Sequence, residues 1–569
     1  VVILTAALAA ALLPSLLAYN EPPSPTFLNQ ALAFALWSAF VIASAPVATR
    51  LAPLPVYGAL GLLALAVGWS WGPGALPASL ALSSLGTIGA AALLLAAGAG
   101  ATASGRVESL FAAFCWAWVG TGLVNLVLGC VQVFAPDWTD GVWIATSGYP
   151  GRAVGNLRQP NHLSSLLVWS CISVLGLLEL GRLKRGLAGL LLAAFVFAVV
   201  LTASRTGTVS ILLLGVWGLV DRRLSKPARV LLLAAPVLYA LSWWGMLEWA
   251  RVSQHAFGGE QRLAEADISS SRFGIWRDTI ALIRRYPLAG VGWGEFNLAW
   301  TLTPSPHRPV AFFDHTHNLV LQFAVELGLP LAAVVLGLLA WGLWRGARNA
   351  WVATGPVGVA QRSSMLMVAM IGLHSMLEYP LWYSYFLLPA AWAWGVALQG
   401  PPAASGAVAD APRRVAVKLM ILAGGIVAGT VFSVVDYFSV AAIFSANEGS
   451  APLERRIAIG QRSSFFAHHA DYAAVTTDIA QPDPAHAYDR VTHYLLDARL
   501  MMSWSHALAE RGEVDKARYL AARLREFHKP DAVEFFAACP NAAGPIAPGR
   551  PFQCERPTRD YDWREFLRP

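Results

Sequence analysis

Four short stretches of this chain gather side chains able to do chemistry. The first is Gly155-Asn156-Leu157-Arg158-Gln159-Pro160-Asn161-His162, immediately before a long apolar run. Pro160 and Asn161 alone would read as a helix start with Asn161 as its cap, but a cap does not call for Arg158, Gln159 and His162 as well. The second, Ser204-Arg205-Thr206-Gly207, joins two apolar runs in a tight turn. A guanidinium there is permanently charged and forked, which suits a phosphate; snorkelling toward lipid headgroups is the competing use of the same side chain.

The third stretch is Ser271-Arg272-Phe273-Gly274-Ile275-Trp276-Arg277, followed by Pro287-Leu288-Ala289-Gly290-Val291-Gly292-Trp293-Gly294. Arg272 and Trp276 are four apart and share a helix face, and the glycines permit a tight return of the backbone. An interfacial helix anchored by Trp and Arg is the alternative. The fourth, Asp314-His315-Thr316-His317-Asn318-Leu319, enters an apolar segment that continues through Glu326-Leu327-Gly328. Two histidines near His307 and Asp314 raise the question of a metal, but helical ligands fall at i and i+4 and no HExxH is present, so no metal site is expected. His317 as a general base is the sharper reading, because imidazole titrates nearest neutral pH.

The elements that must position these groups follow from composition. Of 569 residues, 56% are hydrophobic and 13% charged, and the mean hydropathy is +0.52. An aqueous fold needs a charged skin that this chain lacks, whereas apolar runs of about 18 to 25 residues recur with almost no internal charge. The expected fold class is an all-α polytopic membrane protein. Collagen, disordered and disulfide-rich classes are excluded. Spans are expected near 1–19, 30–48, 53–69, 78–101, 107–134, 163–180, 187–203, 207–220, 230–248, 317–344, 363–378, 382–398 and 415–440, about thirteen in all. The first run lacks a basic n-region and a cleavage site, so it reads as a retained span rather than a signal.

The formal charge of +7 lies mostly in short loops between apolar runs, which fits the positive-inside rule and not a nucleic-acid groove. Nucleic acid is therefore not an expected partner. The loops holding Arg50, Arg106, Arg182 to Arg185, Arg222 to Arg229, Arg345 to Arg362 and Arg413 to Lys418 read as cytoplasmic. That leaves the loops 20–29, 70–77 and 135–161, the turn at Ser204–Thr206, the long loop 249–316 and the turn around Glu378–Tyr383 outside, with the N-terminus inside and the C-terminus outside. Residues 1–444 read as a transmembrane catalytic domain and 445–569 as a small external helical domain. In the latter, Ala485–Leu500 and Ser503–Phe527 are amphipathic, the second broken at Gly512 like one helix-turn-helix repeat of the tetratricopeptide kind. Cys115, Cys130 and Cys171 lie in apolar runs, whereas Cys539 and Cys554 close a short Pro/Gly-rich loop that a disulfide could staple in an oxidising compartment.

Arg158 to His162, the DHTHN element running into Glu326-Leu327-Gly328, and His374-Ser375-Met376-Leu377-Glu378-Tyr379-Pro380-Leu381-Trp382 together carry a resemblance. They resemble the bacterial protein O-oligosaccharyltransferases, the pilin glycosylation ligases, within the O-antigen ligase and polymerase superfamily. Pro22-Pro23-Ser24-Pro25-Thr26-Phe27 is similar to that family's N-terminal element. The resemblance spans roughly residues 15 to 400. It implies a GT-C-like membrane glycosyltransferase in the bacterial inner membrane, active on the periplasmic side. Such an enzyme moves a preassembled oligosaccharide from a polyprenyl (undecaprenyl) pyrophosphate to Ser or Thr hydroxyls of an exported, pilin-like acceptor. The resemblance further implies His317 as the essential histidine and Arg205 and Arg272 as holders of the pyrophosphate. Arg158, Gln159, Asn161, His162, Arg277, His315, Asn318, Glu378 and Tyr379 are carried over as substrate-binding or supporting residues. No cofactor is implied: cationic arginines and one base suffice to neutralise the leaving diphosphate and activate a hydroxyl.

Two rival readings remain at this point. An O-antigen ligase or polymerase would share the catalytic core but take a lipid-A core or glycan acceptor. A lipid-linked glycan transporter would line a path with its charges, yet the informative polar groups cluster on one side and no internal repeat is visible.

Overall fold

The computed structural model describes residues 1–45, 53–74, 76–264, 272–400, 410–446, 449–477, 484–539 and 550–567. Arg50, Ser271 and the Pro/Gly-rich stretch 540–549 lie outside the described residues. Within them the chain is all-helical. In order run α1 (Val2–Leu16), α2 (Phe27–Ser44), α3 (Leu54–Trp71), α4 (Ala78–Ala103), α5 (Val107–Phe134), α6 (Pro160–Glu179), α7 (Arg185–Thr202), α8 (Arg205–Val220), α9 (Lys226–Ser253), α10 (Gly258–Ala264), α11 (Arg272–Arg285), α12 (Phe296–Leu302), α13 (Leu319–Val352), α14 (Gly355–His374), α15 (Ser384–Leu398), α16 (Asp410–Phe444), α17 (Leu453–Gly460), α18 (Ala467–Thr476), α19 (Pro484–Val491), α20 (Ala498–Glu510), α21 (Val514–Glu526) and α22 (Val533–Phe536). Among the described residues, ten helices are long and apolar enough to cross a membrane, and α1, α8 and α15 are shorter apolar helices. They overlap the runs read from sequence, although α14 begins eight residues before the expected 363–378 and ends four residues short of it, at His374.

By compactness the chain forms two units, one of residues 1–60, 86–266 and 337–434 and one of 61–85, 267–336 and 435–569. In the first, α6 is largely enclosed, with 17 of its 20 residues buried. Its Trp169 is fully buried, meets Trp118 edge-on at 4.9 Å, and donates its indole N–H to the carbonyl of Met367 at 3.1 Å. Without a hydrophobic drive between helices in lipid, close backbone approach supplies much of the packing. At the crossing of α4 and α15 a Cβ on Gly98 would stand 2.0 Å from the Trp392 carbonyl oxygen, and one on Gly395 2.1 Å from that of Leu95. Only glycine fits either position.

In the second unit, α17 to α21 pack around buried Trp504, Tyr519, Leu520 and Phe527. The hairpin of α20 and α21 turns at Gly512 with φ +84°, as the sequence pattern requires. The stretch Ala485–Leu500 differs from the continuous amphipathic element expected. It breaks between α19 and α20, because Asp497 caps α20 by accepting from Leu500 N–H at 2.9 Å and the His493 ring turns to Glu295 at 2.6 Å. This docks the tail onto the long loop, along with Tyr519 donating to the Leu302 carbonyl at 2.8 Å and buried Arg308 pairing with Glu526 at 2.9 Å. Cys539 and Cys554 are disulfide-bonded.

Candidate functional site

In the first unit, the chemistry-bearing residues converge on one carboxylate. Gln159, not Asn161, caps α6: its side-chain oxygen accepts from the N–H groups of Asn161 at 2.5 Å and His162 at 2.9 Å, with Pro160 supplying the first helical residue. That leaves the Asn161 side chain for other work. Buried Glu378 accepts from Gln159 Nε2 at 2.7 Å, from Asn161 Nδ2 at 2.6 Å and from His374 Nε2 at 3.1 Å. Ser165 lies 2.8 Å from the other nitrogen of the His374 ring. The two motifs that open α6 and close α14 thus form one polar network, 217 residues apart in sequence at the Asn161–Glu378 contact.

The same Asn161 reaches the arginine turn. Ser204 Oγ–H donates to Asn161 Oδ1 at 2.6 Å and accepts from Gly207 N–H at 3.1 Å, capping α8, whose first residue is Arg205. The chain reverses at Ala203, φ +47°. A Cβ on Gly207 would fall 2.9 Å from Val199 and 3.0 Å from Ser164, so the turn is packed as well as capped. Arg158 lies apart: it is exposed, in the left-handed region at φ +57°, and donates to the Gly141 carbonyl at 3.1 Å. His162 is buried in an aromatic shell, 4.6 Å from the Tyr383 ring and 5.3 Å from Phe386, with Tyr385 Oη 3.2 Å from its Nδ1. Tyr379 stacks on Tyr383 at 6.0 Å.

In the second unit the histidine turn is held from three sides. Thr316 N–H donates to Gln322 Oε1 at 2.8 Å, Thr316 Oγ1–H to the Asn318 carbonyl at 2.8 Å, and Trp276 Nε1–H to the Thr316 carbonyl at 2.9 Å. The third contact ties the turn to α11, the helix that Arg272 opens; Arg277 is exposed farther along it. Asn318 Oδ1 accepts from Leu321 N–H at 3.0 Å and starts α13. His317 has φ +55°, a conformation non-glycine residues adopt rarely and that clusters at functional sites, and its ring stands perpendicular to Phe313 at 5.3 Å.

His315 pairs with Asp314 at 3.0 Å. Burial works against charge on both, but the pairing wins: the Asp314 carboxyl is held down at about 2, and the His315 imidazole is raised by Asp314 and by the nearby Glu326 carboxylate. Below Gln322, buried Glu326 accepts from its side chain and from Gly294 N–H at 3.1 Å. Glu326 also forms part of the wall of an otherwise mostly apolar cavity of about 260 Å³, beside Trp69, Trp293 and Leu327. The span kinks at Gly328, φ +75°, where Leu329 N–H donates to the Pro287 carbonyl at 2.8 Å.

Gln322, Ser204, Glu295 and His493 did not stand out as site residues in the sequence. A signal for the first was present: Asn318, Gln322 and Glu326 repeat at i, i+4 and i+8 along an otherwise apolar helix, one polar stripe in a span where polar groups are expensive. Ser204 carried a cap signature but no mark of its partner in α6. The Glu295–His493 pair has no local signal, since 198 residues separate its members. Among the described residues, no group of three or more His, Cys, Asp or Glu side chains is arranged to hold a metal.

An all-α, multi-pass frame with buried polar networks at helix ends defines a polytopic membrane protein. Parts of the chain match known families and proteins. Residues 189–336 match the family described as O-Antigen ligase, 364–538 the C-terminal part of the virulence factor membrane-bound polymerases, and 153–178 the protein glycosylation ligases. The chain is 28% identical over 301 residues to the "General O-oligosaccharyltransferase" of Acinetobacter baylyi, covering 51% of this chain and 51% of that protein. It is 26% identical over 263 residues to the "ComP-specific O-oligosaccharyltransferase" of the same organism, covering 44% and 45%. It thus spans about half the length of the curated relatives it matches. These findings bear out the resemblance read from the motifs.

Proposed function

We propose that this protein is a glycosyltransferase of the bacterial inner membrane. It moves a preassembled oligosaccharide from a polyprenyl (undecaprenyl) pyrophosphate to Ser or Thr hydroxyls of exported, pilin-like proteins. The observation that carries the reading is the histidine turn: a general-base candidate in a rare backbone conformation, anchored through Thr316 to the helix that Arg272 begins. In this reading His317 takes the proton of the acceptor hydroxyl as it attacks the sugar C1. Arg205 and Arg272 neutralise the diphosphate as its bond to C1 breaks. Binding donor and acceptor together lowers the entropic barrier to transfer. The reaction so written balances without a metal or a cofactor.

The topology belongs to the same proposal: about thirteen spans, a periplasmic active site and tail, a cytoplasmic N-terminus, and a transmembrane catalytic domain 1–444 followed by an external domain 445–569. The ligase and polymerase family matches support a second reading, in which the acceptor is a lipid-A core or another glycan. Reconstitution decides between them. Purified protein is given a lipid-pyrophosphate oligosaccharide together with a pilin-like polypeptide and, separately, a lipid-A core acceptor. Glycan-sized mass gain on the polypeptide supports protein glycosylation, and gain on the lipid acceptor alone moves the function to the ligase branch.

A further inference from the structure

Two buried carboxylates, Glu378 and Glu326, stand in the same relation to the two turns that bear Arg205 and His317. An ionised carboxylate can only accept hydrogen bonds, so an amide facing it must present its nitrogen. Glu378 therefore fixes which way Asn161 points: Nδ2 toward the carboxylate at 2.6 Å, Oδ1 toward Ser204. Facing an oxygen, the Ser204 hydroxyl must donate, at 2.6 Å, and its lone pair is left to accept Gly207 N–H at the start of α8. Each donor and acceptor down to the backbone beside Arg205 is thus set by the charge at Glu378. His374 Nε2 faces the same carboxylate at 3.1 Å.

The second unit has a like arrangement of hydrogen bonds. Glu326 takes the Gln322 amide nitrogen, so Gln322 Oε1 faces the other way and accepts Thr316 N–H at 2.8 Å, one residue before His317. Both turns need such a lock, because each contains a non-glycine residue at positive φ, Ala203 at +47° and His317 at +55°. Both carboxylates are buried and satisfied by other donors, Gln159 and His374 for the first and Gly294 N–H for the second.

We infer that Glu378 and Glu326 are positioning residues: each acts through one carboxamide, Asn161 or Gln322, to fix the polarity of the hydrogen bonds that hold the Arg205 turn and the His317 turn. The roles of the two turns rest on the function proposed above; the relays themselves do not. In this account Glu378 never touches the glycan donor, although its motif marks it as a candidate for doing so.

The test uses isosteric changes in the full-length protein. Glu378→Gln lets Asn161 flip and should raise the apparent donor KM on the order of 100-fold with a smaller change in kcat, since it acts through Arg205; Glu326→Gln should lower kcat by a similar factor, the cost of a misplaced reacting group. Moving each charge one step along restores the acceptor where it is needed. Glu378→Gln with Asn161→Asp, and Glu326→Gln with Gln322→Glu, should each recover most of the lost activity. In an Arg205→Ala background Glu378→Gln should cost nothing further, the non-additivity of residues that act as one unit. Amide hydrogen exchange gives the arm that needs no substrate: Glu378→Gln should speed exchange at Gly207 and Glu326→Gln at Thr316, each reversed in its swapped pair. Failure of both swaps to restore activity and protection, or full additivity with Arg205→Ala, overturns the relays. Should the wild type glycosylate neither acceptor, the functional reading falls while the exchange rates still decide the relays.

Discussion

Gly290 and Gly328 clamp the kinked span against the glycine-rich loop, and substituting either one tests how the histidine turn is supported. At Gly290 the backbone is left-handed, φ +66°, and a Cβ would stand 2.5 Å from both the Glu326 carbonyl oxygen and Gly328 N. At Gly328 it would stand 2.3 Å from the Leu288 carbonyl oxygen, at φ +75°. The left-handed backbone costs a non-glycine residue about 1–2 kcal/mol, and relieving backbone contacts that short adds about 1–3 kcal/mol of overpacking strain. Gly290→Ala is therefore expected to destabilise the unit by about 2–5 kcal/mol. The strain falls on the bonds Val291 N–H to the Val325 carbonyl at 2.8 Å and Gly292 N–H to the Glu326 carbonyl at 3.0 Å, so the Glu326 side chain moves with it. Detergent-solubilised protein should unfold several degrees lower and lose protection at Val291 and Gly292 in hydrogen exchange. Gly429→Ala serves as the control, since nothing lies within 4 Å of a Cβ there; in a helix it should be neutral or mildly stabilising. An unchanged midpoint and unchanged protection for Gly290→Ala would refute the clamp.

Three further outcomes follow from the second unit. Arg308 has a fully enclosed side chain that pairs with Glu526 at 2.9 Å and donates to the Trp300 carbonyl at 2.9 Å, so Arg308→Ala should destabilise by about 3–5 kcal/mol, measured by unfolding in detergent. Burial holds the His469 imidazole down at about 4, below its ordinary 6.5, so the unfolded chain takes up the proton more readily. Its contribution is complete above pH 6.5 and is lost as pH falls toward 4, about 3 kcal/mol in all, and His469→Leu should flatten that part of the stability–pH curve. Reducing the Cys539–Cys554 bond, which closes a loop with a separation of 15, should cost about 3 kcal/mol, seen as a lower midpoint with reductant that a Cys539→Ser/Cys554→Ser double variant reproduces without it.

The frame was legible because apolar runs of membrane length announce themselves, and the helical starts at Pro160 and Arg205 and the turn at Gly512 fell where local signals put them. Gln159 took the cap that Asn161 would ordinarily fill. The Asn161 amide instead faces Glu378, distant in sequence and close in space. The same limit hid Ser204 and His493, whose partners come from other elements. It also hid the break after Val491, where a tertiary contact of His493 overrode a continuous amphipathic pattern. Residues that form a motif in sequence were found; what each one does depended on contacts that spacing does not encode.

The most direct test of the central claim is the intact mass of a pilin-like acceptor incubated with a lipid-pyrophosphate oligosaccharide and either the wild-type protein or His317→Ala. A glycan-sized mass increase is expected with the wild type and none with the variant, with both proteins folded by thermal unfolding. An unmodified acceptor in the wild-type reaction, or wild-type rates of modification by His317→Ala, would contradict it.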